Sequence, residues 1–165
     1  MAKDSSFDIV SQVDMQEVDN AVQQVSREIV QRYDLKDTGS TVTLDKTAST
    51  ITVSAPADFI VQQIKDVMGG KFVKRGIDLK ALSWGKLETA SGSTVRVVCT
   101  IVDGIEQEIA KRINKDIKDK KFKAKVTIEG DKLRVSSPKR DVLQEIIAFV
   151  KENDYDIPLQ FTNRR

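Results

Sequence analysis

The chain has 165 residues, enough for one ordinary domain or two small ones, and its 39% hydrophobic and 32% charged content is that of a soluble globular protein. No apolar run approaches the ~20 residues of a bilayer span, and Met1 to Asp8 offers no signal-peptide core. The absence of histidine and the single cysteine, Cys99, exclude histidine-based hydrolase triads, histidine-ligated zinc and an internal disulfide, and they suit a reducing cytoplasm.

The elements follow from periodicity. Phe7–Ser11 alternates as a short strand, and Asp14 with Glu17 makes a capping-box-like start for a helix that carries Val18, Val22, Val25, Ile29 and Tyr33 on one face. Thr41–Asp45 and Thr50–Ser54 read as a hairpin. Pro56 opens a second helix with Ile60, Ile64, Val67 and Met68 on its stripe, which Gly76 ends, and Ile77–Leu82 follows as a strand. Then the pattern begins again. Val95–Val102 is a strand, and Ile105, Ile109, Ile113 and Ile117 mark a helix. Phe122, Ala124, Val126 and Ile128 alternate up to a Gly130-Asp131 turn, after which Leu133 and Val135 alternate. Pro138 opens a last helix, with Ser137 as its N-cap, and Ile157, Leu159 and Phe161 form a last strand that Pro158 places at an edge.

The repetition holds residue by residue. Val25, Ile29, Tyr33, Val42 and Thr43 correspond to Ile109, Ile113, Ile117, Val126 and Thr127, and Val53-Ser54-Ala55-Pro56 corresponds to Val135-Ser136-Ser137-Pro138. A duplicated β-α-β-β-α-β order predicts an α+β chain of two tandem ferredoxin-like domains with the topology of RNA-recognition motifs. Each is expected to be a four-stranded antiparallel sheet with two helices on one face and the other face open.

The charge is uneven: residues 1–90 hold 11 basic and 13 acidic side chains, residues 91–165 hold 16 and 12. Alternation puts Lys123, Lys125, Lys132 and Arg134 on the open face of the second copy. Four like charges on neighbouring strands repel, which points to an anion platform. The first copy presents Thr41, Thr43, Thr50 and Thr52, which β-propensity explains. Lys139 and Arg140 follow Ser136-Ser137-Pro138 at a helix start, where free amides and the helix dipole favour anions; ordinary capping accounts for the serine and proline but not for the cations. Lys74 and Arg75, with Lys71, complement a helix C-terminus or contact phosphate. Trp84 packs in the core or stacks on a base. Cys99 reads as a buried, inert thiol. The aromatic strand motifs of base-stacking RNA-recognition domains are missing, Gly69-Gly70-Lys71 is not a phosphate loop, and no carboxylate pair or catalytic constellation is present.

The blocks Phe7-Asp8-Ile9-Val10-Ser11, Glu17-Val18-Asp19-Asn20-Ala21, Arg32-Tyr33-Asp34, Lys74-Arg75-Gly76-Ile77, Gly130-Asp131-Lys132-Leu133-Arg134-Val135, Lys139-Arg140-Asp141 and Pro158-Leu159-Gln160-Phe161 resemble the YajQ family of bacterial nucleotide-binding proteins over nearly the whole chain. The resemblance implies a cytoplasmic protein whose ferredoxin-like domains exchange their N-terminal strands. One domain is then 12–90 with strand 92–102, and the other is strand 1–11 with 103–165. It implies binding of purine nucleotides such as cyclic di-GMP, ATP or GTP, links to RNA and to a transcription regulator, and no established enzymatic activity or cofactor. Gly69-Gly70 and the basic Lys121–Lys125 depart from the family's pattern; the glycines put the regularity of their helix in question.

The expected function is therefore non-enzymatic nucleotide binding, with signalling among its uses. The alternatives are an RNA-binding module, tRNA included, and an adaptor whose basic face meets an acidic partner. The expected ligand residues are Lys123, Lys125, Lys132, Arg134, Lys139 and Arg140, with Lys74, Arg75 and Trp84 as further candidates.

Overall fold

The computed structural model describes residues 4–165; the first three positions of the expected 1–11 segment lie outside them. By its contacts the chain divides into two compact units, an internal one of residues 13–102 and a terminal one in which residues up to 12 join residues 103–165. The described residues form four α-helices and two antiparallel sheets, an α+β arrangement consistent with two ferredoxin-like domains.

Strand β1 (Ser5–Val10) opens the described chain and belongs to the terminal unit. The internal unit runs through α1 (Met15–Gln31), β2 (Thr41–Asp45), β3 (Thr50–Ala55), α2 (Asp58–Lys74), β4 (Leu82–Trp84), β5 (Glu88–Ala90) and β6 (Thr94–Ile101). Its sheet has the order β2-β3-β6-β4, with the short β5 also paired to β6. Asp14 caps α1 by accepting the N–H groups of Gln16 and Glu17. Val18, Ala21, Val22, Val25 and Ile29 of that helix are buried with Ile51, Val53, Val97 and Cys99 of the sheet. Each such aliphatic side chain contributes roughly 1.5–3 kcal/mol relative to an exposed one.

Helix α2 stays continuous through Gly69 and Gly70, contrary to the irregularity their presence suggests. Packing on both sides of the pair, by Met68 and Phe72, outweighs the low helix propensity of glycine. Gly76, at φ +77°, ends it: the N–H of Ile77 reaches the carbonyl of Phe72 (2.9 Å) and that of Gly76 the carbonyl of Val73 (3.0 Å). The strand expected at Ile77–Leu82 is instead a 3₁₀ turn followed by β4, because the Asp78 carboxylate accepts the N–H of Lys80 and caps a turn over Leu79–Ala81.

The terminal unit adds α3 (Gln107–Asp119), β7 (Lys125–Glu129), β8 (Lys132–Ser137), α4 (Arg140–Glu152) and β9 (Gln160–Thr162), with sheet order β7-β8-β1-β9. β1 lies between β8 and β9: Phe7 faces Val135, Ile9 faces both Leu133 and Phe161, and Asp8 faces both Arg134 and Thr162. Phe7, Ile9, Leu133 and Val135 are buried with Ile113, Ile117, Leu143, Ile146 and Val150 of the helices.

Three boundaries differ from the periodicity. β7 begins at Lys125 rather than Phe122, because Lys121 sits at φ +58° and Ala124 N–H closes back on the carbonyl of Phe122. β9 is confined to Gln160–Thr162, since Asp156 at φ +61° and Pro158 keep the preceding residues out of the ladder. Ser137 is not the N-cap of α4. It remains the last residue of β8, donates its hydroxyl to the carbonyl of Lys123 (2.8 Å) and accepts the N–H of Lys139 (3.1 Å), so the helix starts at Arg140 with Lys139 as its cap residue.

Candidate functional site

The open face of the terminal sheet carries Lys125, Lys132 and Arg134, while Lys123 lies exposed just before β7. Register, not only alternation, decides what these cations do. Lys125 pairs with Ser136, Lys132 with Glu129, and Arg134 lies between Thr127 and Asp8, so no two cations stand directly opposite one another. Asp8 is 3% exposed. Its carboxylate accepts from Arg134 Nε (3.2 Å), Lys132 Nζ (3.4 Å) and Asn163 Nδ2 (3.1 Å). Burial by itself would raise the Asp8 pKa, but the hydrogen bonds from Asn163 and Arg134, with the charges of Lys132 and Arg134, outweigh it and leave the carboxyl below its usual value. Two of the expected ligand cations are thus already engaged by a carboxylate from a strand more than 120 residues away in sequence.

Asn163 continues the network. Its φ of +54° is the left-handed conformation that asparagine tolerates better than most residues. Beyond it the ladder gains a residue: Asp8 faces Thr162, whereas Ser6 and Arg165 exchange both backbone hydrogen bonds (3.0 and 2.8 Å). This bulge turns the Asn163 side chain to Asp8 and its Oδ1 to Arg165 Nε (3.3 Å).

Next to the bulge lies a pocket of about 290 Å³, lined by Ser5, Ser6, Phe7, Arg140, Leu143, Gln144, Ile147, Arg164 and Arg165. Phe7, Leu143 and Ile147 give it an apolar wall; Ser5, Ser6 and Gln144 are its neutral polar residues; Arg140, Arg164 and Arg165 are its basic ones, and none of the lining side chains is acidic. Arg140 Nε donates to Ser5 Oγ (3.3 Å), whereas Arg165 Nε is held by Asn163, on the side of Asp8. Of the expected residues, Arg140 lines this pocket and Lys139 is its chain neighbour. The sequence reading missed Arg164, Arg165 and Asn163. Their only signal was a basic dipeptide following the last strand, which resembles an ordinary solubilising tail.

The candidates of the internal unit form no such site. Trp84 faces Cys99 in register and packs against the core, with Lys65 Nζ 4.5 Å from its ring centroid. Arg75 Nη1 donates to Glu17 (3.0 Å), and Lys74 lies at a shallow groove that also contains the carboxylates of Glu28 and Asp66. Cys99 is fully buried, and desolvation pushes its thiol up to about 12. Among the described residues no group of three or more Cys, Asp or Glu side chains is placed to hold a metal, and no helix is long and apolar enough to cross a membrane.

Comparison with known proteins places the chain in a family. The family model described as "Nucleotide-binding protein YajQ-like" matches residues 5–165. A nucleotide-binding protein of Desulforamulus reducens is 50% identical over 165 residues, covering 100% of this chain and 99% of its own. One of Koribacter versatilis is 49% identical over 98% of each chain, and one of Synechococcus elongatus is 47% identical over 100% of each. The chain belongs to the YajQ-like family of nucleotide-binding proteins.

Proposed function

We propose that this protein binds a purine nucleotide such as cyclic di-GMP, ATP or GTP without turning it over, and that the phosphates lie in the pocket lined by Arg140, Arg164 and Arg165. The presence of three arginines and no acidic side chain among the residues that line a part-apolar pocket carries this reading. Guanidinium groups grip phosphate oxygens in pairs, and the apolar wall gives a base or ribose somewhere to rest. Lys123, Lys125 and Lys139 contribute longer-range attraction, whereas Lys132 and Arg134 serve first to hold Asp8. Exchange of N-terminal strands between two duplicated domains belongs to the same reading, supported by the pairing of β1 with β8 and of β6 with β3. So does a cytoplasmic effector that passes its ligand state to a transcription regulator.

Calorimetric titration of GTP, ATP and cyclic di-GMP tests this. Replacing Arg140 and Arg164 together with alanine should weaken binding roughly 30-fold or more, while Lys46→Ala with Lys86→Ala leaves it unchanged. The reverse pattern overturns the placement.

Exposed lysines favour a second reading, RNA. Lys111, Lys115, Lys118, Lys121, Lys123 and Lys125 all lie exposed on the terminal unit, with no ion pair among the described residues. Salt separates the two. A strand lying along this stripe loses about 0.7 log units of affinity per log unit of salt for each phosphate contacted, whereas a small nucleotide makes few contacts and shows a shallow slope.

A further inference from the structure

Helix α2 buries Ile60, Val61, Ile64, Val67, Met68 and Phe72 and leaves a second face to solvent. Phe59, Gln62, Asp66, Gly70 and Val73 recur at helical spacing along that face, and all five are exposed. Phe59 is 67% and Val73 57% exposed, on a side of the helix where polar residues are the rule. Beside Val73 the turn after the helix adds Leu79, also exposed, whose Cδ1 lies 3.8 Å from where a Cβ on Gly69 would stand.

Charge on this face complements itself. Asp66, Gly70 and Lys74 form one row at spacing four and line the groove beside α1 together with Val67. Neither Asp66 nor Lys74 has an ion-pair partner among the described residues. Asp66 accepts from Gln62 Nε2 (3.3 Å), whereas the neighbouring Lys71 is engaged by Glu28 (3.5 Å). A carboxylate and an ammonium thus stand four residues to either side of a position with no side chain. A Cβ on Gly70 would meet nothing within 4 Å, so the middle of the row is a notch through which a second backbone can approach. A two-fold rotation about an axis through Gly70 runs a second α2 antiparallel to the first. It sets Asp66 of each copy opposite Lys74 of the other, and Val73 opposite Val67.

We propose that the chain self-associates through this face into a symmetric dimer whose α2 helices cross antiparallel at Gly70, with two Asp66–Lys74 pairs between the copies and Val73 and Leu79 covered. A single helix-on-helix contact falls below about 1,200 Å² of buried surface, so the dimer is a weak one, with a dissociation constant on the order of 10–100 µM.

Sedimentation equilibrium of the full chain from about 5 to 500 µM reads the association, and the parent should pass from monomer to dimer across that range. Asp66→Lys and Lys74→Asp each place two pairs of like charges at the contact, and each should weaken association about tenfold or more. The two changes move the net charge in opposite directions, so weakening by both does not come from overall repulsion. Combining them restores opposite charges at both pairs and should return association to within about threefold of the parent. Gly70→Leu fills the notch and should leave a monomer throughout. Urea midpoints at about 2 µM, where the parent is monomeric, should be alike for the parent and the charge variants, which separates loss of contact from loss of fold. If Gly70→Leu fails to fold, the charge exchange decides. A parent that stays monomeric up to about 500 µM overturns the proposal. So does association that both single charge variants leave intact. A double variant no better than the singles overturns the antiparallel pairing.

Discussion

Replacing Asp8 with asparagine removes one negative charge from a buried point on the terminal sheet and leaves the shape of the side chain. Three donors lose their carboxylate acceptor: Lys132 Nζ, Arg134 Nε and Asn163 Nδ2. Breaking a fully buried ion pair costs about 3–5 kcal/mol, and breaking an exposed one about 0–1 kcal/mol. Asp8 itself is buried, but its side-chain partners Lys132 and Arg134 are 37% and 36% exposed, so water takes up much of what they lose. The expected cost is therefore intermediate, about 1–2 kcal/mol at pH 7. The pH dependence supplies a sharper check. The folded-state pKa of Asp8 is depressed, so its stabilisation is complete above the unfolded value of about 3.9 and is lost as pH falls through the folded value. Urea denaturation of parent and Asp8→Asn proteins at pH 7 should show the full difference, and the gap should narrow as the pH is lowered from 4 to 2. A variant as stable as the parent at pH 7, or a gap that does not change with acid, would refute the reasoning.

Gly70 is exposed inside α2, and a Cβ placed there meets nothing within 4 Å, so Gly70→Ala should raise stability by about 0.5–1 kcal/mol, read as a higher urea midpoint at unchanged slope. A lower midpoint would show that the glycine has a structural role. Cys99 is buried with its thiol pushed up to about 12, so an aromatic disulfide reagent at pH 8 should leave it unmodified in the native protein and label it promptly in urea. Tyr155 is buried, and its hydroxyl donates to Asp116 at 2.8 Å while Arg112 lies over its ring at 4.7 Å. Tyr155→Phe should cost about 1 kcal/mol in chemical denaturation, since Asp116 can turn to water.

The local elements were legible because each carries its own signal. The Val18-to-Ile29 stripe, the Asp14 cap and the spacing-four isoleucines of α3 specify helices wherever they are put. The two hairpins likewise announce themselves through alternation on either side of polar turns. What local pattern could not carry is pairing at long range. Lys132 and Arg134 read as a repulsive pair of cations until β1 sets Asp8 beside them, and nothing near residue 8 or near residue 134 states that pairing. The pocket was hidden for the same reason. Arg140 stood out at a helix start, but Arg164 and Arg165 gain their place from the bulge at Asn163 and the backbone exchange between Ser6 and Arg165. Trp84 shows the converse. Its identity left core packing and base stacking both open, and its register against Cys99 turns it to the core.

The most direct test of the ligand site is a crystal structure of the protein with GTP and magnesium at physiological salt. The expected result has the terminal phosphate within hydrogen-bond distance of guanidinium nitrogens of Arg140 and of Arg164 or Arg165, with the nucleoside against Leu143 and Ile147. Phosphates bound instead on the threonine face of the internal unit, beside Lys74 and Arg75, or on Lys132 and Arg134 with Asp8 displaced, would contradict the assignment.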